Sequence, residues 1–286
     1  MKILHTKEEL ISFRASLDEC SPTVCVGLVP TMGALHNGHK SLIQASLSEN
    51  QHTIVSVFVN PTQFAPNEDL STYPRTLESD CALCADLGVS AVFAPNVEEM
   101  YESPLDAQFH NDEVSMLPPR SMGYVLEGFA RPTHFSGVLQ VVMKLFMLTR
   151  AHNAYFGRKD AQQILLIRRM VQDLFIPIQI RDCPIVRDTD GLALSSRNIY
   201  LSKEERARAL AIPRALESIL QAYNNGEIHT NTLRAIGLRE LKGVEVEYLQ
   251  ICNENLRAIK QVIAQKSLVL LAARIGTTRL LDNLWL

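Results

Sequence analysis

Two histidines flank an Asn-Gly pair in the run Pro30-Thr-Met-Gly-Ala-Leu-His-Asn-Gly-His-Lys40. An apolar stretch, Thr23 to Val29, precedes them and reads as a buried strand. Behind them, Leu42, Ile43 and Leu47 recur at helical spacing between Ser41 and Glu49. The histidines therefore stand where a strand gives way to a helix. Such a junction offers unpaired backbone N–H groups and the positive end of the helix dipole, a natural seat for an anion. Gly38 has no Cβ to hold a phosphate off the backbone, and His36 and His39 add side-chain donors. The pattern suits the phosphates of a nucleotide. A pair of histidines beside a glycine also serves as a plain turn and helix cap, and that reading stays open. A zinc site fits less well, because no neighbouring Cys, Asp or Glu completes a set of three or four ligands.

Two further segments carry similar chemistry. In Gly157-Arg-Lys-Asp-Ala-Gln-Gln163, a glycine follows a short apolar strand and opens a helix, with Lys159 as a candidate phosphate cation and Gln163 as a neutral donor and acceptor. Lys and Asp at a helix start also serve simply as capping and solvation. Leu194-Ser-Ser-Arg-Asn198 sets two hydroxyls, Ser195 and Ser196, beside the guanidinium of Arg197, a combination suited to a polyphosphate whose charge changes during reaction. The plain reading is a polar turn before a helix capped by Ser202 and Glu205. Six cysteines are scattered along the chain and are expected as reduced thiols. Cys81 and Cys84 fall inside a helix, Leu77 to Leu87, where a redox pair has no strand to precede it.

These groups need a frame. The chain has 286 residues, 47% hydrophobic and 21% charged, with a net charge of −3. That balance is ordinary for a globular protein and argues against a dedicated nucleic-acid binder. No apolar run reaches membrane-spanning length, the N-terminal residues lack the apolar core of a signal peptide, and a cytoplasmic location is expected. Thr6 and Glu9 predict a capped first helix ending near Glu19. Strands are expected at His52–Asn60 and around Val89–Phe93, and a helix at Thr76–Leu87. The alternation predicts an α/β fold, a Rossmann-like doubly wound parallel sheet, with ligands beyond the carboxyl ends of its strands. Residues 94–134 are less regular, as in a lid or binding loop. A long helix, a short strand at Ala154–Phe156, a helix to about Leu174 and a strand at Ile178–Asp182 follow. Beyond Lys203 the pattern changes to helices reaching Tyr223 and spanning Thr230–Lys242, then strands at Val244–Ile251 and Ser267–Ala273. The expected division is a larger domain carrying the parallel sheet at 1–178 and a smaller C-terminal α+β domain at 179–286, hinged near 176–187.

Read together, six segments resemble the pantothenate synthetase family, the pantoate–β-alanine ligases of the nucleotidyltransferase superfamily. They are Pro30 to His39, Phe58-Val-Asn-Pro-Thr-Gln-Phe64, Arg131-Pro-Thr-His-Phe-Ser-Gly137, Phe156 to Gln163, Asp190 to Asn198, and Gly276-Thr-Thr-Arg-Leu-Leu-Asp-Asn283. The resemblance spans nearly the whole chain in order and spacing. It implies two steps: pantoate attacks the α-phosphorus of ATP to give pantoyl-adenylate and pyrophosphate, and β-alanine then displaces AMP. Neither step needs a protein nucleophile, so positioning and charge stabilisation are the enzyme's work.

By the same resemblance, ATP is held by Met32, Gly33, Ala34, Leu35, His36, Asn37, Gly38 and His39, and by Gly157, Arg158, Lys159 and Asp160. Val186 touches adenine through its backbone, and Leu194, Ser195, Ser196 and Arg197 close over the polyphosphate. His39 is the family's proton donor, and His36, Lys159, Ser195 and Arg197 complete the catalytic set. Gln63 and Gln163 take pantoate, with Asn60 on the acceptor side. Mg2+ is expected to be held mainly by phosphate oxygens, with no protein metal site. A homodimer is implied, with no nucleic-acid or membrane partner. The chain departs from the family at Arg158, where Glu is common, at Ala161, and at Phe129-Ala130; Arg158 alters the charge of the nucleotide pocket. The rivals are another His-x-Gly-His nucleotidyltransferase, a trimmed class I aminoacyl-tRNA synthetase, and a non-catalytic nucleotide sensor.

Overall fold

The structure, a computed structural model, describes residues 1–21, 23–65, 68–102 and 112–286. Part of the irregular 94–134 stretch, residues 103–111, lies outside them. Contacts group the chain into two units, 1–157 with 166–183, and 158–165 with 184–286. The sequence-based boundary at 178/179 falls just before a strand that the structure keeps with the first unit.

In the first unit, β1 (Lys2–Leu4) leads to α1 (Lys7–Cys20), which starts at the expected reciprocal cap. The Glu9 N–H donates to Thr6 Oγ1 at 3.1 Å and Glu9 Oε2 accepts the Thr6 N–H at 3.2 Å. Then come β2 (Val26–Thr31), α2 (Asn37–Glu49), β3 (His52–Val57), α3 (Leu77–Leu87) and β4 (Ala91–Phe93). Three one-turn helices follow, α4 (Val97–Met100), α5 (Arg120–Gly123) and α6 (Glu127–Ala130). After them run α7 (His134–Thr149), β5 (Asn153–Gly157), α8 (Ala161–Asp173) and β6 (Gln179–Cys183); the first five residues of α8 group with the second unit. The six strands form one parallel sheet in the order β1-β4-β3-β2-β5-β6. From β2 the chain builds outward through β3 and β4 on one side and through β5 and β6 on the other. The order therefore reverses at β2/β5, and in open sheets of this kind ligands bind at such a reversal, outside the strands' carboxyl ends.

Burial supplies the driving force. Leu28, Val29, Ile43, Ile54, Val55 and Val92 are fully enclosed, each worth roughly 1.5–3 kcal/mol relative to exposure. Continuous apolar strands of this kind belong to a parallel sheet covered by helices.

In the second unit, α9 (Lys203–Ala209) and α10 (Ala211–Asn224) stand where one helix was expected up to Tyr223. Pro213 explains the break, since its ring lacks an N–H and clashes with the carbonyl of Ala209; in the first turn of a new helix it is tolerated. α11 (Thr230–Glu240) precedes an antiparallel sheet of β7 (Glu245–Asn253), β8 (Ser267–Ile275) and β9 (Thr278–Trp285). Ile212, Leu216, Ile219, Leu233, Leu249, Ile251, Val269 and Leu271 form its core. β9 was not anticipated: Gly276-Thr277 makes a tight turn, but Thr278 to Trp285 lacks clean alternation of apolar and polar residues.

Candidate active site

The turn after β2 is shaped by backbone geometry and by one buried acid. Gly33 and Ala34 both have positive φ, +82° and +50°. Gly33 takes that conformation without cost, and Ala34 is held in it. The holder is Asp80 on α3, only 3% exposed, whose two oxygens accept the N–H groups of Ala34 at 3.0 Å and Leu35 at 2.8 Å. Thr76 Oγ1 also donates to Asp80 at 3.1 Å, and Thr31 Oγ1 accepts the Gly33 N–H at 3.2 Å.

This turn delivers the two histidines to the helix start. α2 begins at Asn37, four residues before the apolar periodicity, with His36 as its N-cap. The Gly38 N–H donates to His36 Nδ1 at 3.1 Å, and the His36 N–H donates to His39 Nδ1 at 3.3 Å. The rings lie 4.1 Å apart, centroid to centroid. The plain helix-cap reading and the chemical one thus meet in the same residues. A ring nitrogen that accepts a hydrogen bond carries no proton, so each neutral imidazole bears its proton on Nε2. The helix start accordingly carries two ring N–H groups as well as its dipole, while the Gly38 amide is taken. Gly38 is required for a reason other than phosphate approach: a Cβ there would come within 2.8 Å of His36 Cε1.

Beyond β3, Asn60, Gln63 and Met32 meet directly. The Gln63 amide donates to Met32 Sδ at 2.7 Å and accepts from Asn60 Nδ2 at 3.3 Å. Asn60 is 1% exposed, and its other partners are Gly137 O, Thr62 Oγ1 and Tyr101 OH. The backbone of Gln63 is gripped as well. Its carbonyl accepts His134 Nδ1–H at 2.9 Å and Arg131 Nη2 at 3.2 Å. Arg131 in turn pairs with Glu68 at 2.6 Å. Burial opposes ionisation of Glu68, but Arg131 and the Ala65 N–H outweigh it and hold its carboxyl below the usual range. Burial, with help from Arg131, pushes His134 down to about 4, so its ring is neutral. Gly137 lets α7 close on this turn, for a Cβ would sit 2.4 Å from Thr62 O.

In the second unit, Arg158, Lys159 and Asp160 form a 3₁₀ turn ahead of α8. Lys159 Nζ lies 3.4 Å from Asp160 Oδ1, and Gln163 is half-buried on the first turn of α8. Val186 and Leu194 are brought together: the Leu194 N–H donates to Val186 O at 3.0 Å, closing a small hairpin around Gly191. Ser195 Oγ accepts the Arg197 N–H at 3.2 Å and caps the 3₁₀ turn Ser196–Tyr200. Arg206 anchors the hairpin through Asp188 at 2.6 Å and Asp190 at 2.7 Å.

Asp80 carries no motif and lies far along the chain from the turn it braces, so no local signal marks it. Arg131 and His134 stand in a motif segment, but their hold on the Gln63 carbonyl is visible only in the structure. Cys81 and Cys84 are buried mid-helix, and burial raises both thiols, Cys84 to about 12. Among the described residues no group of three His, Cys, Asp or Glu side chains is placed to hold a metal, and no helix is long and apolar enough to cross a membrane.

A parallel sheet with a histidine-capped helix at its reversal point defines an α/β protein of the doubly wound class. Sequence comparison narrows this. The family model for pantoate-beta-alanine ligase matches residues 2–285. The chain is 54% identical over 285 residues to the pantothenate synthetase of Helicobacter pylori strain G27, and 48% identical over 286 residues to that of Wolinella succinogenes, covering all of both proteins. The crystal structure of the Thermus thermophilus pantothenate synthetase superposes with a TM-score of 0.90 at 41% identity, over 100% of this chain and 99% of that one. A Francisella tularensis pantoate-beta-alanine ligase, complexed with beta-gamma ATP and beta-alanine, gives 0.79 at 37% identity, over 100% and 97%. The chain belongs to the pantoate–β-alanine ligase family, the pantothenate synthetases, which join pantoate to β-alanine.

Proposed function

We propose that this ligase works through a pantoyl-adenylate. A carboxylate oxygen of pantoate attacks the α-phosphorus of ATP, the bond to pyrophosphate breaks, and the amine of β-alanine then attacks the acyl carbon. The amide bond forms, AMP leaves, and the amine gives up a proton. The observation that carries this reading is the reciprocal His36–His39 cap, which leaves each neutral ring with its proton on Nε2. Two such donors stabilise charge gathering on phosphate oxygens, a contribution of about 3 kcal/mol for one well-placed donor. The Francisella relative, held with beta-gamma ATP and beta-alanine, supports ATP as the nucleotide.

In this scheme Met32 to His39 receive ATP, with His39 as proton donor. Gly157 to Asp160, Val186 and Leu194 to Arg197 also serve the nucleotide, Lys159 and Arg197 meeting its phosphates. Gln63 and Gln163 hydrogen-bond pantoate. Asn60, whose amide is fully engaged, serves by fixing Gln63. The substrate is MgATP, its magnesium held chiefly by phosphate oxygens. The working form is a cytoplasmic homodimer.

Labelled pyrophosphate should exchange into ATP when pantoate is present and β-alanine is absent. AMP and pantothenate should accumulate once β-alanine is added. Exchange that ignores pantoate, or that requires β-alanine, would overturn the adenylate.

A further inference from the structure

The C-terminal segment Gly276–Asn283 belongs to the family pattern, yet the scheme above gives it nothing to do. Its last residue has a definite job in the structure. Asn283, on β9, is 3% exposed, and its amide nitrogen donates to two consecutive carbonyls, those of Arg158 and Lys159, at 2.8 Å each. Both partners are acceptors, so the nitrogen must be the atom that faces them. Trp285, two residues on, lies against the same turn, with the Arg158 guanidinium 5.1 Å from its ring centre. Asp282, 2% exposed, takes the Arg187 guanidinium in a two-pronged pair at 2.6 and 2.9 Å and accepts the Asn283 N–H at 2.8 Å. The backbone of Asn283 is thereby held in place, and its side chain is fixed by the two bonds of its amide nitrogen.

A three-residue 3₁₀ turn has little hydrogen bonding of its own to fix its direction. Two bonds from a buried amide set how both carbonyls point, and so where Lys159 leaves the backbone. A flexible four-carbon side chain gains most from such an anchor, because its own rotamers define no single position.

We infer that Asn283 is a positioning residue for the ligase reaction: its carboxamide holds the Arg158-Lys159 backbone so that the Lys159 ammonium is aimed at the phosphates of ATP. This rests on the assignment of Lys159 to the nucleotide made above.

The test is a double-mutant cycle of Asn283→Ala and Lys159→Ala, with melting curves and circular dichroism recorded for every variant. Asn283→Ala should lower kcat/KM for ATP by about 10- to 100-fold, the scale of a roughly 1 Å misplacement. The KM for pantoate should stay within about twofold of the wild-type value. In the Lys159→Ala background the second substitution should cost nothing further. Asn283→Ser, which keeps one donor, should fall between wild type and Ala, and it carries the cycle if the Ala protein does not fold. A loss that adds in full to that of Lys159→Ala, or that raises both KM values alike, overturns the inference and leaves the lysine assignment standing. Wild-type activity in Lys159→Ala removes that assignment, and this inference with it.

Discussion

The carboxylate of Asp80 accepts the backbone N–H of Leu35 at 2.8 Å, across 45 residues of chain. The same carboxylate accepts the N–H of Ala34, whose positive φ the turn requires. A side chain on α3 thus sets the path by which the backbone reaches His36. Replacing Asp80 by Asn keeps the shape but turns one acceptor into a donor facing a donor. We expect a loss of stability of about 1–3 kcal/mol and a fall in kcat of at least tenfold, read from urea unfolding and AMP release. Unchanged kcat in a destabilised variant would show that the turn keeps its shape without the acid.

His36 and His39 shape the start of α2, and the proposed scheme also gives them a part in the chemistry; two substitutions separate these roles. Asn is a good N-cap residue, so His36→Asn should keep stability within about 1 kcal/mol of wild type while reducing turnover. His39→Ala should lower turnover by about two to three orders of magnitude, as deletion of one oxyanion donor does. Steady-state rates of AMP release check both. Turnover of His39→Ala within a few-fold of wild type would make that ring purely structural.

His134 links pH to stability through Gln63. Burial, then Arg131, holds its folded pKa down to about 4, below the 6.5 of an ordinary imidazole. The fold therefore favours the neutral ring. Its contribution is fully present above pH 6.5 and is lost as the pH falls from there towards 4, an effect on the order of 3 kcal/mol at most. Melting temperatures at pH 7.5 and 5.0 should drop more for wild type than for His134→Asn, which keeps an N–H donor but cannot titrate. Equal drops would mean that the ring does not govern this window.

The buried thiols predict silence. Cys84 is pushed up to about 12 and Cys81 is raised, so neither should react with a disulfide reagent at pH 8 in the folded protein, whereas exposed Cys20 should. Cys81→Ala should leave kcat within about twofold of wild type, its main cost being a small cavity of the order of 1 kcal/mol. Rapid labelling of Cys84 without unfolding would contradict the packing described for α3.

Much of the frame was legible because it rests on periodicity and local caps. The Thr6–Glu9 and Ser202–Glu205 boxes formed as spaced, and the apolar strands entered a parallel sheet. The start of α2 lies four residues ahead of its apolar periodicity, with His36 in the capping role that the His-x-Gly-His turn offered beside the chemical one. The hold of Asp80 on Ala34, of Arg131 and His134 on Gln63, and of Asn283 on the Lys159 turn join residues that are distant in sequence. Such pairs leave no local signal. The motifs are visible in the chain, while the distant residues bonded to them are not.

The amide of Asn60 has two acceptor sites and two donor hydrogens, and Tyr101, Thr62, Gln63 and Gly137 occupy all four. For inhibitor design this is a closed door. A ligand group reaching for Asn60 must first evict the tyrosine hydroxyl or break the amide's hold on Gln63, and either exchange cancels most of the affinity that it seeks.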